Sequence, residues 1–256
     1  MDIFNHYSKY YDLIYSDKNY TSEVNYVESL FHNNSRYKNI LEFGCGTGIH
    51  AKMLAQKDYF VHGIDSSPEM IKVAKDRSSD LDRDIFNNIS FECSDIRHFR
   101  SNNKYDNIIS LFHVICYLTS NKDIEDAFRN AYVHLKKGGS FIFDIWHAPA
   151  IIEDGFSIRF KSLENSDLLI NRYTRPSLHA DNISKIDYDI YIFDKSKETW
   201  SFVDETHFIR FFTISEIKYF AEKTGFSFAI GEEWITGNTP SSKTWSVTIV
   251  LNKNLE

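Results

Sequence analysis

The chain has 256 residues, of which 42% are hydrophobic and 25% charged, with a formal net charge of −7. That length suits one large domain, or one domain carrying an insertion, with apolar content sufficient for a substantial core. The acidic balance argues against affinity resting on phosphate neutralisation, so no nucleic-acid partner is expected. Cys45, Cys93 and Cys116 show no paired or metal-like spacing and read as reduced thiols. Residues 1–6 lack a basic stretch leading into an apolar one. No run approaches the roughly 18 apolar residues of a membrane span. The expectation is a cytoplasmic protein with no membrane association.

Residues 1–37 read as mainly helical and rich in tyrosine. Ile40, Leu41 and Phe43 then form an apolar strand, and Gly44, Cys45, Gly46, Thr47 and Gly48 a glycine-rich turn, before an amphipathic helix over about 48–56. Strand, glycine turn and helix form the unit that holds a nucleotide-like ligand at the carboxyl end of a parallel sheet. A dinucleotide fingerprint needs its third glycine at position 49, which is Ile49; here it falls at Gly48. A nicotinamide dehydrogenase is disfavoured on that ground. Glu42 stands two positions before the first glycine, giving Glu-x-Gly-x-Gly-x-Gly.

Further strands are expected near 60–64, 89–93, 105–111 and 139–145, with helices at about 68–78 and 122–134. Asp65 ends the second strand about twenty residues past the first glycine, the offset at which a carboxylate reaches a ribose diol. Ser66 follows it, Ser67 and Pro68 suit a helix start, and Met70 lies on that helix. The third strand ends at Asp95 and Ile96, the fourth at Leu111, Phe112 and His113. This alternation implies a parallel sheet covered on both faces. From residue 148 to 212 the pattern changes to period two, clearest over residues 187–194, and predicts antiparallel strands. Thr213 and Glu216 read as a capping box for the next helix, ending near Gly225. Strands at about 226–232 and 244–252 would close the sheet.

Taken in order, these stations resemble the motifs of class I S-adenosylmethionine-dependent methyltransferases. The resemblance implies an α/β, Rossmann-like fold: a mostly parallel seven-stranded sheet flanked by helices, here with an antiparallel β insertion. The whole chain, 1–256, would be one methyltransferase domain, with 148–212 on the substrate side or at a homodimer contact. Tyr11-Asp12-Leu13-Ile14-Tyr15, Lys18-Asn19-Tyr20 and residues 204–213 are similar to segments of sugar-nucleotide N,N-dimethyltransferases. The implied cofactor is S-adenosyl-L-methionine. Asp65 would take the ribose, Met70 the adenine face and Asp95 the adenine amine. Glu42 would touch the methionine amino group indirectly or brace the glycine loop. Gly44, Cys45, Gly46, Gly48, Ser66, Ile96, Leu111 and Phe112 would complete the cofactor site, with Tyr15 and Tyr20 closing over it.

The acceptor is expected to be a small molecule bearing an amino or hydroxyl group, such as a sugar nucleotide or related glycan or secondary-metabolite precursor. His113, Tyr117 and Tyr7 are the catalytic candidates, and Trp146 and His147 the substrate contacts. Imidazole titrates near neutrality, so His113 is the preferred base or orienting group; its other reading is a wall residue. Tyr117 is read as orienting, and Tyr7 equally as an aromatic packed on the core. Asp144 with His147 lacks a third ligand, so no metal is expected. Two alternatives stay open: a non-catalytic S-adenosylmethionine-binding module, and a methyltransferase for a non-sugar small molecule. A DNA or RNA amino-methyltransferase would carry a proline-containing motif after the fourth strand, whereas this chain has Ser110-Leu111-Phe112-His113.

Overall fold

A computed structural model describes residues 8–31 and 38–255. Two sheets organise it. The larger has seven strands, β1 (Asn39–Phe43), β2 (Phe60–Asp65), β3 (Ile89–Cys93), β4 (Tyr105–Ser110), β5 (Leu135–Trp146), β10 (Ser227–Glu233) and β11 (Ser246–Asn252). Their spatial order is β10-β11-β5-β4-β1-β2-β3. β1 to β5 run parallel, whereas β11 is antiparallel to both β5 and β10. The order reverses between β1 and β4, so their carboxyl ends open a crevice there.

Side-chain alternation explains the layering. Leu41 and Phe43 point to one face of β1 and Ile40 to the other; Ile108 and Ile109, then Phe141 and Ile142, divide likewise. One face packs on α6 (Asn121–His134) and α8 (Ile214–Lys223), through Phe128 and Phe220 among others. The other packs on α2 (Tyr20–Ser29), α3 (Ile49–Ala55) and α4 (Pro68–Ser79), through Val27, Leu54 and Ile71. Ser67 accepts the Met70 N–H and caps α4, with Pro68 in its first turn. α1 (Ser8–Ile14) is tied to α4 and the glycine turn by Asp12, which meets Arg77 and accepts from Thr47, and its Ile14 packs against the second sheet.

That second sheet is antiparallel, in the order β6 (Arg159–Glu164), β7 (Leu168–Ala180), β8 (Ile183–Asp194) and β9 (Thr199–Arg210). Asp194 shapes the β8–β9 turn by accepting the N–H groups of Ser196 and Lys197. The chain leaves the large sheet after Trp146 and returns at Phe212. His147 and Phe212 form a parallel bridge there, and Phe212 N–H donates to Trp146 O at 2.8 Å.

Three local expectations change. The insertion opens with α7 (Ala148–Asp154), because Pro149 fits a first helical turn and Ala148, Ala150 and Ile151 bury one side. β5 begins at Leu135 rather than near 139, pairing with β4 across a register irregularity. The capping box is half formed: Thr213 accepts the Glu216 N–H, but the Glu216 carboxylate turns to Arg210. The short helix α5 (Arg83–Phe86) was not expected. No helix among the described residues is long and apolar enough to cross a membrane.

Candidate active site

A cavity of about 1080 Å³ opens at the carboxyl ends of β1 and β4 and runs beneath the inserted sheet. It exceeds the volume of roughly 300–1,000 Å³ that one drug-sized ligand needs. Two groups of residues line it, one on the parallel sheet and one on the insertion.

The first group surrounds the glycine turn. Gly44, Gly46 and Gly48 have φ of +68°, +52° and +76°, the left-handed region that L side chains avoid. A Cβ on Gly46 would meet nothing within 4 Å, so its bare backbone faces the open cavity. Asp65 accepts the Gly46 N–H through Oδ2 and the Ser67 N–H through Oδ1, both at 2.9 Å. Each oxygen keeps lone-pair capacity for a diol. Burial raises the Asp65 pKa, against the pull of these backbone donors.

Ser66, Met70, Asp95, Ile96, Leu111, Phe112 and Tyr15 also line the cavity. Asp95 is not bare. Arg97 grips both its oxygens and bridges on to Asp123 at 2.6 Å. Burial alone would raise the Asp95 pKa, but the Arg97 contacts hold it below the ordinary carboxylate value. Tyr15 meets Phe112 edge-on at 4.9 Å, and Lys18 Nζ sits 3.9 Å above the Phe112 ring centroid.

Phe112 and His113 both have positive φ, +68° and +64°. Two successive left-handed non-glycine residues are strained, and such strain persists where surroundings over-determine it. Asp144, buried on β5, supplies that restraint. Its Oδ1 accepts the His113 backbone N–H at 3.1 Å, and its Oδ2 lies 2.7 Å from His113 Nδ1. Burial pushes the Asp144 pKa up, but the His113 contacts outweigh it and the net displacement is downward. Nε2 is then the His113 nitrogen left for a ligand.

The second group comes from the insertion and was not anticipated residue by residue. Arg159 and Lys161 of β6, Arg172 of β7 and Tyr188 of β8 line the same cavity. Arg159 and Lys161 stand two apart, so strand alternation sends both to one face. Charges recurring at the parity of the inward face were the available signal. Tyr117, from the 3₁₀ turn Val114–Tyr117, and Trp146 complete the wall.

Several expected residues lie elsewhere. Glu42 is buried beneath the turn, with Oε1 3.7 Å from His50 Nδ1 of α3. Cys45 is also buried, which raises its thiol pKa. Gly48 sits against Phe91 and caps α3. Tyr20 packs on His50 at 5.1 Å and does not line the cavity. His147 does not line the cavity: it is buried, with Nδ1 3.1 Å from Thr244 O. Tyr7 lies outside the described residues. Among the described residues no cluster of three His, Cys, Asp or Glu side chains could hold a metal ion.

The fold is that of class I S-adenosylmethionine-dependent methyltransferases, with the glycine turn at the end of its first strand. Residues 40–139 match the family described as methyltransferase domain. It is 23% identical over 209 residues to a Streptomyces venezuelae dTDP-3-amino-3,4,6-trideoxy-alpha-D-glucopyranose N,N-dimethyltransferase, covering 80% of this chain and 84% of the relative. A Clostridium acetobutylicum S-adenosylmethionine-dependent methyltransferase superposes with a TM-score of 0.78 at 21% identity, covering 98% of this chain and 100% of that one. CalS10, an amino pentose methyltransferase from Micromonospora echinaspora solved with SAM bound, superposes at 0.74 with 18% identity over 98% of both chains. The family uses S-adenosyl-L-methionine, and the bare Gly46 backbone beside Asp65 fits that cofactor.

Proposed function

We propose that this methyltransferase acts on an amino group of a nucleotide-linked sugar. The observation that carries the reading is the wall of Arg159, Lys161 and Arg172 in the cofactor cavity of a chain whose net charge is −7. Guanidinium groups at one wall suit a diphosphate, while the Lys161 ammonium is held by Asp17 and Ile14 O. The amino-sugar enzymes among the relatives support the same acceptor class. Residues 148–212 would then be a specificity insertion within one methyltransferase domain.

When bound, the cofactor supplies a methyl group already activated on a sulfonium. The chain's task is distance, angle and a dry pocket. Asp65 and the glycine turn would hold the ribose and the neighbouring backbone, Met70 the adenine face, and Asp95, tied by Arg97, the far end. An amine attacks only when neutral. With Nδ1 held at Asp144, Nε2 of His113 would accept a hydrogen bond from the acceptor nitrogen and orient its lone pair.

Mass spectrometry after incubation with S-adenosylmethionine and dTDP-3-amino-3,6-dideoxy-α-D-glucose should show methylated product. dTDP-glucose, with hydroxyls alone, should remain unmodified. Methylation of dTDP-glucose but not the amino sugar would refute the amine reading. Arg172→Met should weaken the amino-sugar nucleotide while sparing cofactor affinity; equal binding of this substrate by wild type and variant would remove the diphosphate argument.

A further inference from the structure

We propose that Glu205 and His207 are positioning residues that turn the Tyr117 hydroxyl into a hydrogen-bond acceptor for the incoming amine and receive the proton it sheds. The inference rests on the amine reading above and adds to it two residues outside the cavity lining.

Tyr117 lines the cavity, and its Oη lies 2.8 Å from His207 Nδ1. His207 Nε2 lies 2.9 Å from Glu205 Oε2. Glu205 and His207 stand two apart on β9, so their side chains share a face. Those side chains are only 10% and 3% exposed. Tyr188, opposite Glu205 on β8, meets the His207 ring edge-on at 4.9 Å. Among the described residues, the ionisable groups facing His207 include Tyr117, Glu205 and Tyr188, with Arg172 over the Tyr188 ring at 5.4 Å.

The direction of the chain follows from its far end. An ionised carboxylate only accepts, so His207 Nε2 must carry a proton. A neutral imidazole protonated there has a bare Nδ1, to which Tyr117 must donate. A phenol has one hydrogen. Once that hydrogen is committed to His207, the Tyr117 oxygen can only accept from the cavity side.

This polarity distinguishes acceptors. A neutral primary amine has two N–H groups and a lone pair. His113 Nε2 and Tyr117 Oη can accept one hydrogen each, leaving the lone pair for the methyl carbon. A hydroxyl has a single hydrogen and satisfies only one of the two. As the N–C bond forms and the C–S bond breaks, the nitrogen becomes cationic. One of its protons passes to Tyr117 Oη while the tyrosine proton passes to His207 Nδ1, and Glu205 faces the resulting imidazolium. Atoms and charge balance, and no further reactant is needed.

The test uses the full chain. Nitrogen-15 NMR of the histidine rings, with His207 assigned by its loss in His207→Gln, should show the proton on Nε2. Tyr117→Phe should move the Nδ1 resonance without moving that proton. With dTDP-3-amino-3,6-dideoxy-α-D-glucose, His207→Gln and Glu205→Gln should lower kcat about tenfold or more at unchanged cofactor affinity. Glu205→Asp should recover part of the loss. A wild-type His207 protonated on Nδ1 alone overturns the proposal without any turnover measurement, as does a kcat within about twofold of wild type in His207→Gln. If wild-type protein leaves the amino sugar unmethylated, the acceptor reading fails, and the His207 tautomer still decides the relay by itself.

Discussion

Asp144 holds His113 twice, accepting its backbone N–H at 3.1 Å and facing its Nδ1 at 2.7 Å. One carboxylate thus restrains a left-handed backbone and orients the imidazole upon it. The two effects are separable by substitution. His113→Gln keeps approximate size and a polar end but removes the imidazole. Turnover should fall roughly 100-fold with little change in S-adenosylmethionine affinity. Turnover within a few-fold of wild type would reduce His113 to a wall residue.

Asp65→Ala removes the carboxylate that receives Gly46 and Ser67. Cofactor affinity should drop by about 1.5–3 kcal/mol while the fold stays intact. Calorimetry on folded variant decides this, and unchanged affinity would dismiss the ribose assignment.

Two glycines should respond differently to alanine. A Cβ on Gly63 would stand 2.7 Å from Phe91 Cδ1, inside the core. Gly63→Ala should lose about 1–3 kcal/mol of stability through overpacking, read from urea melts. A Cβ on Gly46 meets open cavity instead. Gly46→Ala should cost about 1 kcal/mol in backbone strain, with its larger effect on cofactor binding. Equal effects on both properties in both variants would contradict the division.

Glu42 and Asp144 are both buried carboxylates, yet they are displaced in opposite directions. Burial lifts Glu42 to about 8; Lys18 opposes this and Asp65 adds to it. Because the folded value exceeds the unfolded one, the neutral side chain is fully tolerated below about pH 4.3, its unfolded pKa. From there to about 8 the unfolded chain ionises first and stability declines; above 8 the loss is complete. Glu42→Gln should flatten that decline and gain on the order of 3 kcal/mol over wild type at alkaline pH. Melts at acidic, neutral and alkaline pH would show parallel curves if Glu42 were not the cause.

The parallel half of the fold was legible because each strand ends in a punctuating residue. Phe43 precedes the glycine turn, Asp65 precedes Ser67-Pro68, and alternation within β1 and β4 sets the two core faces. Asp65 and Asp95 were readable for the same reason, since register and offset fix where a strand-end carboxylate sits. The Arg97 clamp on Asp95 was not, because an arginine two residues on usually points to solvent. Nor was His113–Asp144, where the partners are 31 residues apart and meet through β4–β5 pairing. His147 misled because its neighbour Trp146 does reach the cavity, and one residue along an extended chain reverses the side chain. Arg159, Lys161 and Arg172 needed the orientation of the inserted sheet, which period two alone leaves undecided between its faces.

The bridge between His147 and Phe212 has a consequence for how such enzymes diversify. The excursion begins and ends at adjoining backbone positions tied by hydrogen bonds from Phe212 to Trp146 and from Ala148 to Phe212. Lengthening or exchanging what lies between them leaves the seven-stranded scaffold and its glycine turn untouched, and added loop length costs little in closure entropy. Contacts do cross that boundary: Ile14 packs on Ile170, Ile190 and Ile192 of the excursion, and Tyr117 meets His207. A graft of the inserted sheet must therefore also carry segments distant in sequence, the helix at the start of the described chain among them.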